Sequence, residues 1–384
     1  MIHTKYAFYA ARCVNDDFMA DFIPGLELSR LFYLEAVKPI LDADFPGLRY
    51  SAVLIGDGSE VLGFDTEMSA DHDWGARLML FLEEGDFVRY EKSINDALRR
   101  KLPFEFLGFS TNFGLPDLKD NGTQLLEEIE SSSINHRVEI LTIRGFFLDY
   151  LNFDLHAPIE AADWLTFPEQ KLRAITAGAI YHDSLDLRKT LAQFDYYPRD
   201  VWLYLLASGW NRIGQEEHLM GRAGIAGDEI GSAIIAARLV RDLMRLCFLM
   251  EKRYAPYPKW FGKAFSELKC AKDLSPVFKK VLSAESWQQR ENFLAKAYQY
   301  VGLMHNGLEI TEPLSAKVDK FFSRPFLVIH LHGKFADEIC KRISDPAVKL
   351  IAEKPLIGSL DQFSDSTDIL SDPRWRTILS KLYE

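Results

Sequence analysis

The sequence predicts an α+β protein: a small mixed-sheet core in residues 1–150, followed by a mostly helical region over residues 151–384 that ends in a polar tail. Three observations predict it. Up to about residue 150, short apolar runs of strand length alternate with amphipathic segments of helical period. Beyond that point apolar residues recur at helical spacing, broken near Pro158, Pro168, Pro198, Pro256, Pro276 and Pro325. At 384 residues, 48% hydrophobic and 26% charged, the chain can bury a sizeable core and is long enough for two domains.

Taken in order, Leu26 to Leu41 carries apolar positions at helical spacing and predicts a helix. Tyr50 to Ile55 is a strand-length apolar run, closed by the turn residues Asp57-Gly58-Ser59. A second strand is expected over His72 to Leu82, ending at Glu83-Glu84-Gly85-Asp86, with Asp86 as the cap of a helix reaching about Arg100. Phe104 to Phe109 and Arg137 to Ile143 are further strand candidates, and Pro116 to Asn135 reads as loop with a short acidic helix. In the second half the central helix is expected from Asp228-Glu229 to about Lys252, and the last thirty residues as a turn-rich tail over the surface.

Composition narrows the function. A net charge of -11 repels phosphate backbones, which disfavours broad nucleic-acid binding without excluding a local basic groove. Cys13, Cys247, Cys270 and Cys340 form no CxxC pair, so neither a zinc site nor a disulfide framework is signalled, and a reducing cytoplasm is expected. The N-terminus lacks the basic-then-apolar order of a signal peptide. The most apolar stretch, Ile230 to Met250, contains Arg238, Arg241, Asp242 and Arg245 and reads as a buried helix rather than a membrane span.

The residues with the clearest chemistry are Gly58-Ser59 and Asp71-His72-Asp73. On a strand, residues two apart share a face, so Asp71 and Asp73 are expected to converge while His72 points away. Two hard carboxylate ligands of this kind suit Mg²⁺, which prefers few carboxylates plus phosphate oxygens. Glycine lets backbone N–H groups approach a phosphate, and the Ser59 hydroxyl adds a donor.

The order strand, Gly-Ser, Asp-x-Asp, strand resembles the polymerase-beta-like nucleotidyltransferase superfamily. The resemblance implies that Gly58 and Ser59 hold the triphosphate, that Asp71 and Asp73 bind Mg²⁺, and that a third acid on a later strand completes the site. Glu139 is preferred for that acid because its strand comes later; Glu105 is the rival. The longer run Gly58-Ser59-Glu60-Val61-Leu62-Gly63-Phe64-Asp65, with Ser69 and Asp71-His72-Asp73-Trp74-Gly75, is similar to a bacterial family known as domain of unknown function 4037. Trp210-Asn211-Arg212-Ile213, Gly227-Asp228-Glu229-Ile230-Gly231-Ser232, Tyr254 to Gly262 and Ile357 to Phe363 agree with it. This implies a nucleotidyltransferase-like half followed by a helical half, and a transfer of nucleoside monophosphate from a nucleoside triphosphate to a hydroxyl or amine with release of pyrophosphate. It supplies no acceptor. A nucleotide-binding module without catalysis, or a modifier of RNA or protein, are the other readings.

In the helical half, Arg238, Arg241 and Arg245 share one helix face. They either pair internally with acids such as Asp242 and Glu251, or line a triphosphate cleft, with Arg238 the candidate contact. Lys259, beside Tyr254, Tyr257 and Trp260, is a further candidate for phosphate, with the rings for the base. Asp228 and Glu229 are read as helix caps, with a general base as the alternative. His305 and the pair His330/His332 lack an evident third metal ligand, and Asp361, Asp365 and Asp368 read as turn and cap residues.

Overall fold

A computed structural model describes residues 22–71, 73–117, 122–130, 133–329 and 334–384, without the side chains of Ala70 and Asp71. The described chain is α+β and forms two compact units. The first contains the residues up to Leu54, Gly58–Thr142 and Gly178–Leu185; the second contains Ile55–Asp57, Ile143–Ala177 and Asp186–Glu384.

The first unit opens on helix α1 (Gly25–Phe32), which continues through a π-turn at Tyr33–Val37 into α2 (Lys38–Asp44). Pro39 explains the wide turn. It has no N–H for the carbonyl of Glu35, and its ring crowds that carbonyl, so the Lys38 N–H bonds five residues back to Tyr33. Strand β1 (Tyr50–Leu54) follows, then a 3-10 turn at Glu67–Asp71, β2 (Arg77–Leu82) and the long helix α3 (Glu84–Lys101). A two-residue hairpin, β3 (Glu105–Phe106) with β4 (Phe109–Ser110), occupies the expected Phe104–Phe109 strand.

Strands β5 (Arg137–Thr142) and β6 (Ala179–Asp183) complete a four-stranded sheet in the order β5-β2-β1-β6. Strand β1 runs antiparallel to β2 and β6, whereas β2 and β5 are parallel with Arg77 opposite Arg137 and Met79 opposite Glu139. A parallel neighbour requires a long crossover, and the segment containing α3 supplies it. Residues two apart share a face. One face, with Tyr50, Ala52, Leu78, Leu80, Leu82 and Val138, therefore packs with Leu28, Phe32, Val37, Ile94 and Leu98 in one buried core.

Several expectations need correction. The strand expected from His72 begins at Arg77, and His72 lies outside the described residues. Asp86 lies in the first turn of α3, with Glu83 at the cap position. No acidic helix forms among the described residues of 116–135; isolated bridges join Phe113 to Leu126 and Asp117 to Thr123. Strand β6 lies in a stretch read as helical.

Among its described residues the second unit is helical apart from one small hairpin. Helix α4 (Ile143–Leu151), α5 (Ala161–Thr166), α6 (Glu169–Ala177) and α7 (Leu187–Leu191) precede the long α8 (Arg199–Ile225). A short link joins α8 to α9 (Glu229–Met250). At Gly209 the two helices approach so closely that a Cβ would lie 2.7 Å from Leu246 Cδ2. Helices α10 (Pro258–Phe265), α11 (Ala271–Leu282) and α12 (Trp287–Gly307) follow, then the hairpin β7 (Asp319–Lys320) with β8 (Leu327–Val328). Pro276 lies inside α11 rather than at a break. The C-terminal residues are not a surface tail: Leu360, Asp361, Arg376 and Tyr383 are buried, and Arg376 donates to the carbonyls of Leu151 and Asn152 and to Asp163. No helix among the described residues is long and apolar enough to cross a membrane.

Candidate functional site

The sheet of the first unit brings three loop segments to one end. The antiparallel pairing sets the exit of β1 beside the entrance of β2, and the parallel pairing sets the entrance of β5 beside it in turn. Gly58-Ser59, Asp73 and Arg137 belong to these segments.

Gly58 has φ +144°, a conformation side-chain-bearing residues rarely adopt. A Cβ there would also lie 2.5 Å from Arg77 Nη2 and 2.6 Å from Glu60 Oε2. The backbone conformation favours glycine, and a Cβ would oblige the ends of these two side chains to shift. Beneath it the Glu60 and Arg77 side chains, 4% and 10% exposed, form an ion pair of 2.7 Å. The loop then closes on itself, the Phe64 N–H donating to the Ser59 carbonyl at 2.9 Å and the Gly63 N–H to that of Glu60 at 2.9 Å. Asp65 accepts from the Gly25 N–H at 2.7 Å and from Trp74 Nε1 at 3.1 Å, tying the loop to the start of α1. Ser29 donates from its hydroxyl to the Arg77 carbonyl at 2.7 Å, tying α1 to the entrance of β2.

Asp73 is not on a strand. Its φ of +51° is left-handed, and β2 starts four residues later, so strand alternation does not set the directions of Asp71 and Asp73. The Asp73 carboxylate accepts from Arg137 Nη1 and from the Gln124 N–H at 3.3 Å. Asp71 closes the 3-10 turn, and its side chain lies outside the description. Glu139 is exposed on β5, opposite Met79 and on the face shared by Arg77 and Arg137. Glu105 sits on the small β3–β4 hairpin, outside the four-stranded sheet.

Sequence reasoning missed Glu60, Arg77 and Arg137. The available signal was an arginine at the head of each of two apolar runs, Arg77-Leu78-Met79-Leu80 and Arg137-Val138-Glu139-Ile140. The register sets these two arginines opposite one another on adjacent strands, one paired with Glu60 and the other with Asp73.

In the second unit the arginines of α9 each have a carboxylate partner. Arg238 pairs with Glu216 at 2.5 Å, Arg241 with Asp365, and Arg245 with Glu169 at 3.3 Å. Asp242 is held by Arg212 at 2.8 Å rather than by one of these three, and Glu251 accepts from the N–H groups of Lys269 and Cys270. Asp228 caps α9 by accepting from the Gly231 N–H at 2.7 Å, and Glu229 pairs with Arg290 at 3.0 Å. Lys259 is exposed, its ammonium 5.1 Å from the centre of the Trp260 ring. Tyr254 is buried and donates to the Phe194 carbonyl at 3.1 Å, so it is a packing residue. His305 is buried beside Trp210 and Phe335, its Nε2 is 3.1 Å from Thr311 Oγ1, and burial pulls its pKa down to about 4. His330 and His332 lie outside the described residues. Asp361 is buried and accepts from the Glu169 N–H at 2.8 Å, whereas Asp368 lies in the first turn of a short helix at Thr367–Ser371.

No match was found among curated proteins. The chain is similar to a solved nucleotidyltransferase-like protein from Exiguobacterium sibiricum 255-15, at 13% identity and a TM-score of 0.30 over 77% of this chain and 82% of that one. Residues 164–261, from α5 into α10, match the model of a domain of unknown function, DUF4037. Over that segment, which includes α8 and α9, the chain matches the DUF4037 family that its motifs resemble.

Proposed function

We propose that the protein is a nucleotidyltransferase that moves a nucleoside monophosphate from a nucleoside triphosphate to a hydroxyl or amine acceptor. The observation that carries this reading is the convergence of Gly58-Ser59, the Asp73 loop and the strand of Glu139 at one end of a four-stranded sheet. Gly58 leaves backbone and guanidinium close together, which suits an approaching phosphate. In this reading Gly58 and Ser59 hold the β- and γ-phosphates, and Glu139 assists or activates the acceptor.

Asp71 and Asp73 are proposed to hold Mg²⁺, which neutralises phosphate charge when bound. The donor types fit, but among the described residues no three His, Cys, Asp or Glu gather into a metal set, and Asp73 is paired with Arg137. Release of Asp73 from Arg137 is therefore part of the reading. The same pairing favours a second reading, a module that binds nucleotide without turnover.

Melting temperature measured with Mg²⁺ and each of ATP, GTP, CTP and UTP tests the site. At a hundredfold the dissociation constant, a ligand stabilises by about 2.7 kcal/mol. We expect a Mg²⁺-dependent rise with at least one nucleotide, lost in Asp71→Asn/Asp73→Asn. Absence of any rise in folded protein removes both readings. Binding without pyrophosphate release across hydroxyl and amine acceptors leaves the second.

A further inference from the structure

Arg137 opens β5 and is bound to Asp73, a carboxylate assigned above to the divalent cation. Only one of its three guanidinium nitrogens is engaged. Nη1 donates to Asp73 Oδ1, whereas Nε and Nη2 donate to no group among the described residues and are not sealed from solvent. The guanidinium carbon lies 5.5 Å from the centre of the Phe113 ring. On the other side of the pair, Asp73 Oδ2 accepts no hydrogen bond among the described residues. Both partners therefore keep binding capacity that the fold does not use.

The neighbouring pair is built differently. Arg77, opposite Arg137 in the register of β2 and β5, is held by Glu60, and both of those side chains are almost fully buried. The Arg137 and Asp73 side chains are 18% and 39% exposed. Parting a buried pair strands a desolvated charge, whereas a pair that water reaches contributes little and opens readily. Asp73 also keeps its place without Arg137. Its N–H donates to the Gln124 carbonyl at 3.0 Å, and its Oδ1 accepts from the Gln124 N–H at 3.3 Å. Gln124 in turn donates from Nε2 to the Gly114 carbonyl at 2.7 Å. All these residues belong to the first unit, as do Gly58 and Ser59.

A divalent cation and a guanidinium compete for one carboxylate, because their like charges repel at that distance. A guanidinium displaced from a carboxylate finds an equivalent partner in phosphate, which its planar fork fits bidentately. We propose that Arg137 is the charge-exchange residue of the nucleotide site: it neutralises Asp73 before ligand arrives, then leaves that carboxylate to a divalent cation and takes phosphate oxygens of the nucleoside triphosphate. Free cation meets a carboxylate that is already neutralised, whereas cation arriving with triphosphate brings the anion that receives Arg137. The site thereby selects the cation–nucleotide complex over the cation alone. This rests on the nucleotide reading above and extends it by a residue and by a means of selection.

The test uses the full chain and two binding measurements. One follows Mn²⁺ alone by its electron paramagnetic resonance, manganese taking the same oxygen ligands as magnesium. The other follows Mn²⁺ with whichever of ATP, GTP, CTP and UTP raises the melting temperature most. The proteins are wild type, Arg137→Met, Arg137→Lys and Ser59→Ala. In Arg137→Met the two affinities are expected to move in opposite directions. Mn²⁺ alone binds about two- to fivefold more tightly, because its competitor is gone. The nucleotide complex binds roughly tenfold or more weakly, for want of a charge-assisted hydrogen bond. A residue that merely braced the Asp73 loop would weaken both, and that result overturns the proposal, as does either affinity left unchanged. If Ser59→Ala weakens nucleotide and Arg137→Met does not, the nucleotide reading stands without this proposal. If folded wild type binds none of the four nucleotides, that reading falls and takes this one with it. Should Arg137→Met fail to fold, Arg137→Lys decides. Lysine keeps the charge but lacks the fork, so Mn²⁺ alone is expected to bind as in wild type and nucleotide several-fold more weakly. Nucleotide affinity unchanged in Arg137→Lys overturns the proposal.

Discussion

Gly58 shows how one residue can be legible in sequence while its surroundings are not. The Gly-Ser turn after an apolar run is local information, and φ +144° is what such a turn asks of its glycine. That the missing side chain makes room for Arg77 and Glu60 depends on pairing between distant segments. Gly58→Ala is expected to cost on the order of 1–3 kcal/mol in backbone strain, with further loss from the close contact, and to weaken nucleotide binding. Urea unfolding and the thermal shift with nucleotide measure the two effects, and an unchanged midpoint contradicts the account. Glu60 and Arg77 make a separate case, because breaking a buried ion pair costs more than replacing it. Glu60→Met alone is expected to destabilise by about 3–5 kcal/mol, while Glu60→Met/Arg77→Met recovers most of that. A double-variant loss equal to the sum of the Glu60→Met and Arg77→Met losses would show that the pair is not coupled.

At the scale of elements, long periodic segments were readable and short or interrupted ones were not. Helix α9 was expected from Asp228-Glu229 to about Lys252 and runs from Glu229 to Met250, because its cap, period and end signals agree. Strand β6 was missed because Ala179-Ile180-Tyr181-His182-Asp183 has no clear alternation and follows a helix. It is a strand because β1 offers it an edge. Pro276 was read as a break, yet α11 continues through it with Leu274, Phe278 and Val281 buried, so packing outweighs the lost hydrogen bond. Asp228, whose alternative reading was a general base, is bound to the Gly231 N–H. Asp228→Ala is expected to lower stability by about 1 kcal/mol without changing turnover per folded molecule. A large fall in turnover with stability intact would return Asp228 to the chemistry.

For the molecule as a whole, pH separates two kinds of buried group. Glu169 is pushed up to about 7 by burial and by the nearby charge of Asp361, although Arg245 opposes this. The folded state then keeps a proton that the unfolded chain, at about 4.5, releases. Its stabilising contribution is present below pH 4.5, is lost as pH rises to about 7, and amounts to on the order of 3 kcal/mol. His305, pulled down to about 4 by burial, acts in the opposite sense. It remains neutral in the fold while the unfolded chain takes up a proton near pH 6.5, so stability falls as pH drops from 6.5 to about 4. The two slopes partly cancel in wild type. Glu169→Gln keeps an oxygen acceptor for the Ala255 N–H, and its urea midpoint is expected to rise relative to wild type as pH goes from 5 to 7. A constant difference over that range would show that Glu169 is ionised throughout.

By itself the sequence determined the class of fold, and it carries the Gly58-Ser59 and Asp71/Asp73 signals. Each of these rests on residues a few positions apart, where period, turn chemistry and capping act locally. Tertiary structure decided what depends on distant partners. It recruited β6 from residues 179–183 and set Arg77 beside Arg137 through the parallel register of β2 and β5. It turned Asp73 out of the strand to meet Arg137, and it buried the C-terminal Asp361 against Glu169. The physical reason is that burial and ion pairing depend on which surfaces meet, and segments some sixty or nearly two hundred residues apart meet only once the chain has folded.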